Sequence, residues 1–142
     1  MSDFACGLPT PAGEAASLLA GVRTIAVVGL SPTPDRPSHR IAKFLIERGY
    51  EVIPIRPATD AILGRKAYPS LTAYGQAVDV VDIFRNAEAV PAIVDEAITL
   101  GCKIVWMQEG ISHPEAAQRA EAAGLKVVQN QCIYKVLSAT SV

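Results

Sequence analysis

The sequence predicts an α/β fold, a doubly wound parallel sheet sandwiched in three α/β/α layers as a single domain. Two observations carry this. Short apolar runs at residues 25–28, 51–55, 78–84, 103–107 and 125–129 alternate with helical patterns over short connections, the signature of strands buried on both faces and joined by crossover helices. The first run ends in Gly29, a position for a tight turn, and a helix follows it. Strand, turn and helix form the first half of a nucleotide-binding βαβ unit, whose helix start offers free amides to a phosphate.

The composition bounds the reading. A chain of 142 residues is long enough for one domain with a real core and too short for two ordinary ones. With 50% hydrophobic residues it is not a disordered sequence. A formal charge of −1 gives no general attraction to nucleic acid or anionic membrane, so any anion must be held by a local cluster. No apolar run approaches the roughly 18 residues of a bilayer span. The start, Met-Ser-Asp-Phe-Ala-Cys, lacks the basic and apolar blocks of a secretion signal. Cys6, Cys102 and Cys132 are odd in number and unpaired in spacing, which suits free thiols in a reducing compartment. A soluble cytoplasmic protein is expected.

In chain order, residues 1–9 read as a frayed lead-in. Thr10-Pro11 reads as a helix cap with a first-turn proline. The apolar face of Ala15, Ala16, Leu18, Leu19 and Val22 follows, so that residues 1–23 form a lead-in and a helix packed on the domain proper at 24–137. After the first strand and a proline-rich loop, a helix beginning at Ser38 buries Ile41, Phe44 and Leu45 and stops at Gly49. Pro57 ends the second strand. Residues 62–68 read as a short strand or bulge, and residues 70–74 as one helical turn. Val90, Ile93, Val94, Ala97 and Ile98 recur with helical period, with Pro91 in the first turn and Gly101 at the end. The helix over 114–123 carries Ala116, Ala117, Ala120 and Ala123, small enough for close approach to a sheet. Residues 132–137 read as a terminal turn and 138–142 as a tail. Right-handed crossovers favour strand order 3-2-1-4-5 or a close relative, with a ligand crevice beyond the carboxyl ends of the strands, where the order reverses beside strand 1.

The residues that follow the strands cluster chemistry on that rim: Gly29-Leu30-Ser31, Arg56-Pro57, Arg85-Asn86, Gln108-Glu109-Gly110 and Asn130-Gln131-Cys132. Any one of these alone reads as an ordinary loop residue. Together they give the few convergent polar groups that a small-molecule crevice needs. Arg36, Arg40 and Lys43 stand in the loop and first helical turns, where their charge would neutralise a phosphate. The NAD form of dinucleotide binding does not fit. No glycine follows Gly29 until Gly49, and Arg56 stands where an acidic residue would bind the ribose hydroxyls. An arginine there suits a phosphorylated ribose, in NADP or in the 3′-phospho-ADP half of coenzyme A.

These residues also carry a family resemblance. Val27-Val28-Gly29-Leu30-Ser31-Pro32 with Asp35-Arg36-Pro37-Ser38, Leu63-Gly64, Tyr68-Pro69-Ser70-Leu71, Val80-Val81-Asp82-Ile83-Phe84-Arg85 and Trp106-Met107-Gln108 resemble the small stand-alone CoA-binding proteins. Their Rossmann-like domain is similar to the N-terminal domain of the succinyl-CoA synthetase α subunit, and the match runs from about Thr24 to Ile133. The resemblance implies CoA or acyl-CoA as the cofactor. Its diphosphate would lie against Gly29, Leu30, Ser31, Pro32 and the helix start, near Arg36. The 3′-phosphate would lie near Arg40, Lys43 or Arg56, and the adenine near Pro57, Phe84, Arg85 and Asn86. The pantetheine arm would run toward Gln108 and Gly110, past Asn130 and Cys132. The family commonly has Asp-Arg before that cysteine, where this chain has Asn130-Gln131.

Candidates for catalysis are few. His39 has only Asp35 nearby as a partner acid and reads as a capping or solvent-facing residue. His113, before Pro114, reads as a turn residue. No ligand pair has metal spacing, so no metal is expected. Glu109 reads as a solvated carboxylate, Trp106 as core or interface, and Ser31 as a phosphate-bonding hydroxyl outside any hydrolase elbow. Cys132 reads as a buried residue. If its loop faced the crevice, its thiol would meet that of CoA in a mixed disulfide. The expected function is non-catalytic binding of CoA or acyl-CoA, with a homodimer left open. An NADP-dependent reductase and a regulatory domain that has lost its ligand are the alternatives.

Overall fold

The computed structural model describes residues 10–139, so the lead-in expected at 1–9 lies outside the described residues. Five parallel strands form the sheet: β1 (Thr24–Val28), β2 (Glu51–Ile55), β5 (Val80–Ile83), β6 (Ile104–Met107) and β7 (Lys126–Val128), in the order β2-β1-β5-β6-β7. The residues expected as a short strand or bulge form a small antiparallel hairpin, β3 (Ala61–Ile62) with β4 (Arg65–Lys66). It sits beyond the β2 edge, where Tyr68 bridges Ile55.

Counting main strands only, the order is 2-1-3-4-5, the relative of the expected order in which the third strand lies on the far side of the first. The handedness of crossovers explains the layers. The chain leaves β1 toward β2 through α2 (Pro37–Glu47), which covers one face of the sheet. From β5 it moves the opposite way, so α4 (Val90–Leu100) and α5 (Pro114–Ala122) cover the other face. The reversal point falls between β1 and β5, and the crevice rule still points to the carboxyl end of β1.

Two hydrophobic clusters fill the layers. Alternation along β5 separates them: Val81 and Ile83 face α4 and α5, while Val80 faces α1 (Ala12–Leu18), α2 and α6 (Ile133–Ala139). Of the four alanines expected against the sheet, Ala116, Ala117 and Ala120 are buried and permit close packing, whereas Ala123 is exposed, because α5 ends at Ala122 and Ala123 caps it.

Several ends differ from the sequence reading. Thr10 does not cap α1; Pro11 occupies that position, and Thr10 instead extends the β7 edge. Its amide donates to the Gln129 carbonyl and its hydroxyl accepts from the Gln129 amide, both at 2.9 Å. An open strand edge offers unpaired backbone groups, and these bonds satisfy those of Gln129, just past the end of β7. Helix α2 starts at Pro37, one residue early, because proline suits the first helical position. The single turn α3 (Leu71–Tyr74) is capped by the Ser70 hydroxyl and ends on Gly75. Helix α6 runs past the expected tail boundary to Ala139, and the rest of the tail expected at 138–142 lies outside the described residues.

Candidate functional site

The site begins at Gly29. Its φ is +89°, and a Cβ there would lie 2.9 Å from the Phe84 carbonyl oxygen and 3.0 Å from Arg85 Cδ. Only glycine lets the β1 end pass this close to the β5 end.

The loop that follows is held by its own helix. The Ser31 amide donates to Ser38 Oγ at 2.9 Å, and the Thr33 amide donates to Ser31 Oγ at 3.1 Å. His39 donates its Nδ1 hydrogen to the Ser31 carbonyl at 2.9 Å, so its role is to pin the loop, with no acid partner involved. Ser38 is buried beneath the loop, with 6% of its surface exposed. In the first turn of α2, Pro37 has no N–H, and the His39 and Arg40 amides both donate to the Arg36 carbonyl. Among the described residues, the Ser38 amide is thereby left open at the positive end of the helix.

Two cavities meet in front of this turn. One, of about 430 Å³, is lined by Gly29, Ser31, Thr33, Arg36, Pro37, Ser38, Arg56 and Phe84. The other, of about 400 Å³, is lined by Val28, Gly29, Ile55, Arg56, Pro57, Pro69 and Arg85. Gly29 and Arg56 belong to both, and among the described residues neither wall contains a carboxylate. Arg56 is held at the junction by its amide, which donates to the Tyr68 carbonyl at 2.8 Å. A larger cavity, about 930 Å³, opens at the opposite rim beside Leu19, Arg23, Gly49 and Glu51. Its wall carries Arg23, Arg48 and Arg65, but also the Glu51 carboxylate, and it faces the carbonyl ends of α1 and α2, whose dipoles oppose an anion.

The geometry therefore gathers Gly29, Ser31, Arg36, Arg56, Pro57, Phe84 and Arg85, and leaves other candidates elsewhere. Leu30 is wholly buried in the core, and Pro32 is exposed beside the loop. Arg40 donates to the Asp35 carbonyl and lines a separate groove, while Lys43 is exposed farther along α2. Asn86 starts a 3-10 turn over Ala87–Ala89. Gln108 is 4% exposed, and its Oε1 accepts from the Ile133 amide at 3.1 Å. The Gly110 amide donates to Asn130 Oδ1 at 2.6 Å. Cys132 is buried at the head of α6 and lines neither cavity. Glu109 pairs with Lys135 at 2.8 Å. Trp106 is fully buried, and its Nε1 donates to the Gln131 carbonyl at 2.8 Å. The His113 ring caps α5, its Nδ1 accepting from the Ala116 amide. The sequence reading missed Thr33, Pro69 and the Ser38 hydroxyl; a buried serine one residue into a helix behind a glycine turn was the available signal for the last.

One group stands apart from this site. Asp82 is fully buried in β5, and among the described residues neither of its carboxylate oxygens has a hydrogen-bond partner. Burial pushes its carboxyl well above the ordinary range.

A family model described as CoA binding domain matches residues 23–138. The chain belongs to this CoA-binding domain family. The family member is 38% identical over 120 residues to the uncharacterized protein YneT of Bacillus subtilis (strain 168), covering 84% of this chain and 89% of the relative. Among solved structures, a hypothetical protein from Pyrococcus horikoshii OT3 superposes with a TM-score of 0.85 at 35% identity, over 91% of each chain. The dinucleotide forming acetyl-coenzyme A synthetase 1 of Ca. Korarchaeum cryptofilum gives a TM-score of 0.68 at 27% identity. There 78% of this chain matches 27% of the synthetase chain, so the family member corresponds to one part of a larger protein. The resemblance carried by the motifs around Gly29 and Phe84 is borne out at the level of family and fold. Among the described residues, no helix is long and apolar enough to cross a membrane, and no group of three or more potential metal ligands occurs.

Proposed function

We propose that the protein binds coenzyme A or an acyl-CoA through its phosphorylated adenosine and diphosphate, without catalysing a reaction itself. The observation that carries this is the pair of cavities sharing Gly29 and Arg56, with Arg36, Arg56 and Arg85 in their walls and no carboxylate among the described residues. Guanidinium groups bind phosphate by charge-assisted, often bidentate hydrogen bonds. The open Ser38 amide at the start of α2 adds an oriented donor. The diphosphate then lies in front of α2 near Arg36, and the adenine lies between Pro57, Pro69 and Arg85. Arg56, at the junction, takes the 3′-phosphate. Arg40 and Lys43, expected from the resemblance to share that role, stand outside both cavities. The Ser31 amide is already committed to Ser38 Oγ, so Ser31 serves through its hydroxyl, whose oxygen accepts from the Thr33 amide while its hydrogen can be donated to a phosphate.

Thermal denaturation with CoA, dephospho-CoA, ADP and NADPH tests the reading. A ligand at a hundredfold excess over its Kd stabilises the folded state by about 2.7 kcal/mol. CoA is expected to give a larger shift than dephospho-CoA, and Arg56→Ala to narrow that difference. Equal shifts with CoA and dephospho-CoA would remove the assigned role of Arg56. A larger shift with NADPH than with CoA would replace the reading with the NADP alternative.

A further inference from the structure

Asp82 lines neither cavity at the strand ends. Its neighbours in register are Val27 on β1 and Trp106 on β6, and its side chain shares their face of the sheet. Helices roof that face with apolar side chains: Ala15 from α1, Ala42 and Leu45 from α2, and Ile133, Val136 and Leu137 from α6. Among the described residues neither carboxylate oxygen has a hydrogen-bond partner, and the residue is 0% exposed. No charge on the roof compensates. Glu14 on α1, Arg40, Lys43 and Glu47 on α2, and Tyr134 and Lys135 on α6 are all exposed. His39 is bound to the Ser31 carbonyl, and Tyr50 lines the cavity at the opposite rim. The Cys132 thiol is buried just before α6. Neither β1 nor β6 places a titratable group on this face. Burial alone acts on the carboxyl, and it favours the neutral form.

We propose that α6 is a pH-sensitive latch over Asp82, seated while the carboxyl keeps its proton and lifted to admit water once that proton is lost to solvent. A lone carboxylate cannot stay ionised in an apolar seal, so ionisation and hydration must come together. The roof element that gives way is the one least tied down. Helix α2 has 11 residues, and Ser38 and His39 bond it to the loop in front of it. Helix α1 follows Thr10, which is bonded to Gln129 and Gln131 beside β7. Helix α6 has seven residues, too few to hold a helix in water without its packing. Its head is fixed by the Ile133 amide on Gln108 Oε1, so the head serves as the hinge and the turn carrying Val136 and Leu137 swings away. Above the ordinary carboxylate range, each pH unit favours the open, ionised form tenfold, until it offsets the cost of exposing that turn.

Hydrogen exchange between pH 5 and 8, corrected for base catalysis of the exchange itself, tests the latch on the wild type, Asp82→Asn and Asp82→Val. In the wild type the α6 amides are expected to lose protection by up to about tenfold per pH unit, while those of β5 and β6 keep theirs. In both variants α6 protection is expected to be independent of pH. Asp82→Val, which removes the polar group altogether, keeps the comparison should Asp82→Asn not fold. Acrylamide quenching of the single tryptophan, Trp106, gives a second readout under the same roof, with access rising with pH in the wild type alone. Protection of α6 that does not change with pH in the wild type, or that changes equally in the variants, would overturn the proposal. Protection lost evenly from α6, β5 and β6 would overturn it too, since the whole domain rather than one helix would then be opening.

Discussion

Replacing Asp82 with valine is expected to stabilise the unliganded protein, by an amount that grows with pH. Asp82 lies on the central strand β5, paired in register with Val27 on one side and Trp106 on the other. Alternation places its side chain with Val80 on the face covered by Ala15, Ala42, Leu45, Ile133, Val136 and Leu137. Burying an unpartnered polar group costs roughly 1–3 kcal/mol in protein mutational series, and valine at the same position packs without that cost. The raised pKa adds a pH dependence. A carboxyl protonated in the folded state and ionised in the unfolded state contributes stability below its ordinary value of 3.8 and loses it as pH rises through the folded value. Over that window the wild type loses about 1.4 kcal/mol per pH unit from this group, and the variant loses none. Asp79 works in the opposite direction at the acid end. Burial raises its pKa, but the Arg23 and Thr24 amides and the Lys103 ammonium outweigh that and lower it. Its contribution is present above its unfolded value and lost as pH falls through the folded one, in both proteins alike. Urea denaturation of both proteins between pH 5 and 8 reads the difference. A variant less stable than the wild type at pH 7, with a gap independent of pH, would refute the reasoning and reveal a partner that holds the carboxylate.

Gly29→Ala is expected to lose about 1–3 kcal/mol, since it combines a positive φ with a Cβ 2.9 Å from a backbone oxygen; it should also abolish any thermal shift by CoA, and a normal melt with an intact shift would count against the close β1–β5 approach. Ser38→Ala leaves the Ser31 amide without its acceptor and is expected to cost about 1–2 kcal/mol, with faster hydrogen exchange at Ser31 as the local readout.

How legible the molecule was in its sequence varies by element. The strands were visible because each is an apolar run bounded by turn residues, and α4 was visible because Val90, Ile93, Val94 and Ala97 fall on one buried stripe. The hairpin at Ala61–Lys66 was legible only as irregularity, because two-residue strands carry no period to read. At the candidate site, the gathering of Gly29, Arg56 and Arg85 in one cavity was legible in the sequence because strand ends in a parallel sheet share one rim. Arg40 shares the Pro37 face of α2 but lies a turn farther along, where it donates to the Asp35 carbonyl and borders a groove with Tyr134, a placement its sequence position does not show. Gln108 and Asn130 look like ligand contacts in sequence, yet they satisfy backbone amides of Ile133 and Gly110, a demand that exists only once those segments meet.

The sequence by itself determined that this is a parallel α/β sheet with a glycine turn and basic residues at the carboxyl ends of its strands, because hydrophobic period and turn chemistry are local properties. It also determined the family, through several motifs in register. Only the tertiary structure decided that the third main strand crosses to the far side of β1, that Arg36, Arg56 and Arg85 line joined cavities while Arg40 borders a groove of its own, and that Asp82 is sealed without a partner among the described residues. These outcomes depend on which elements pack together across tens of residues, and no local pattern encodes the side on which a strand docks or the group that a buried side chain will face.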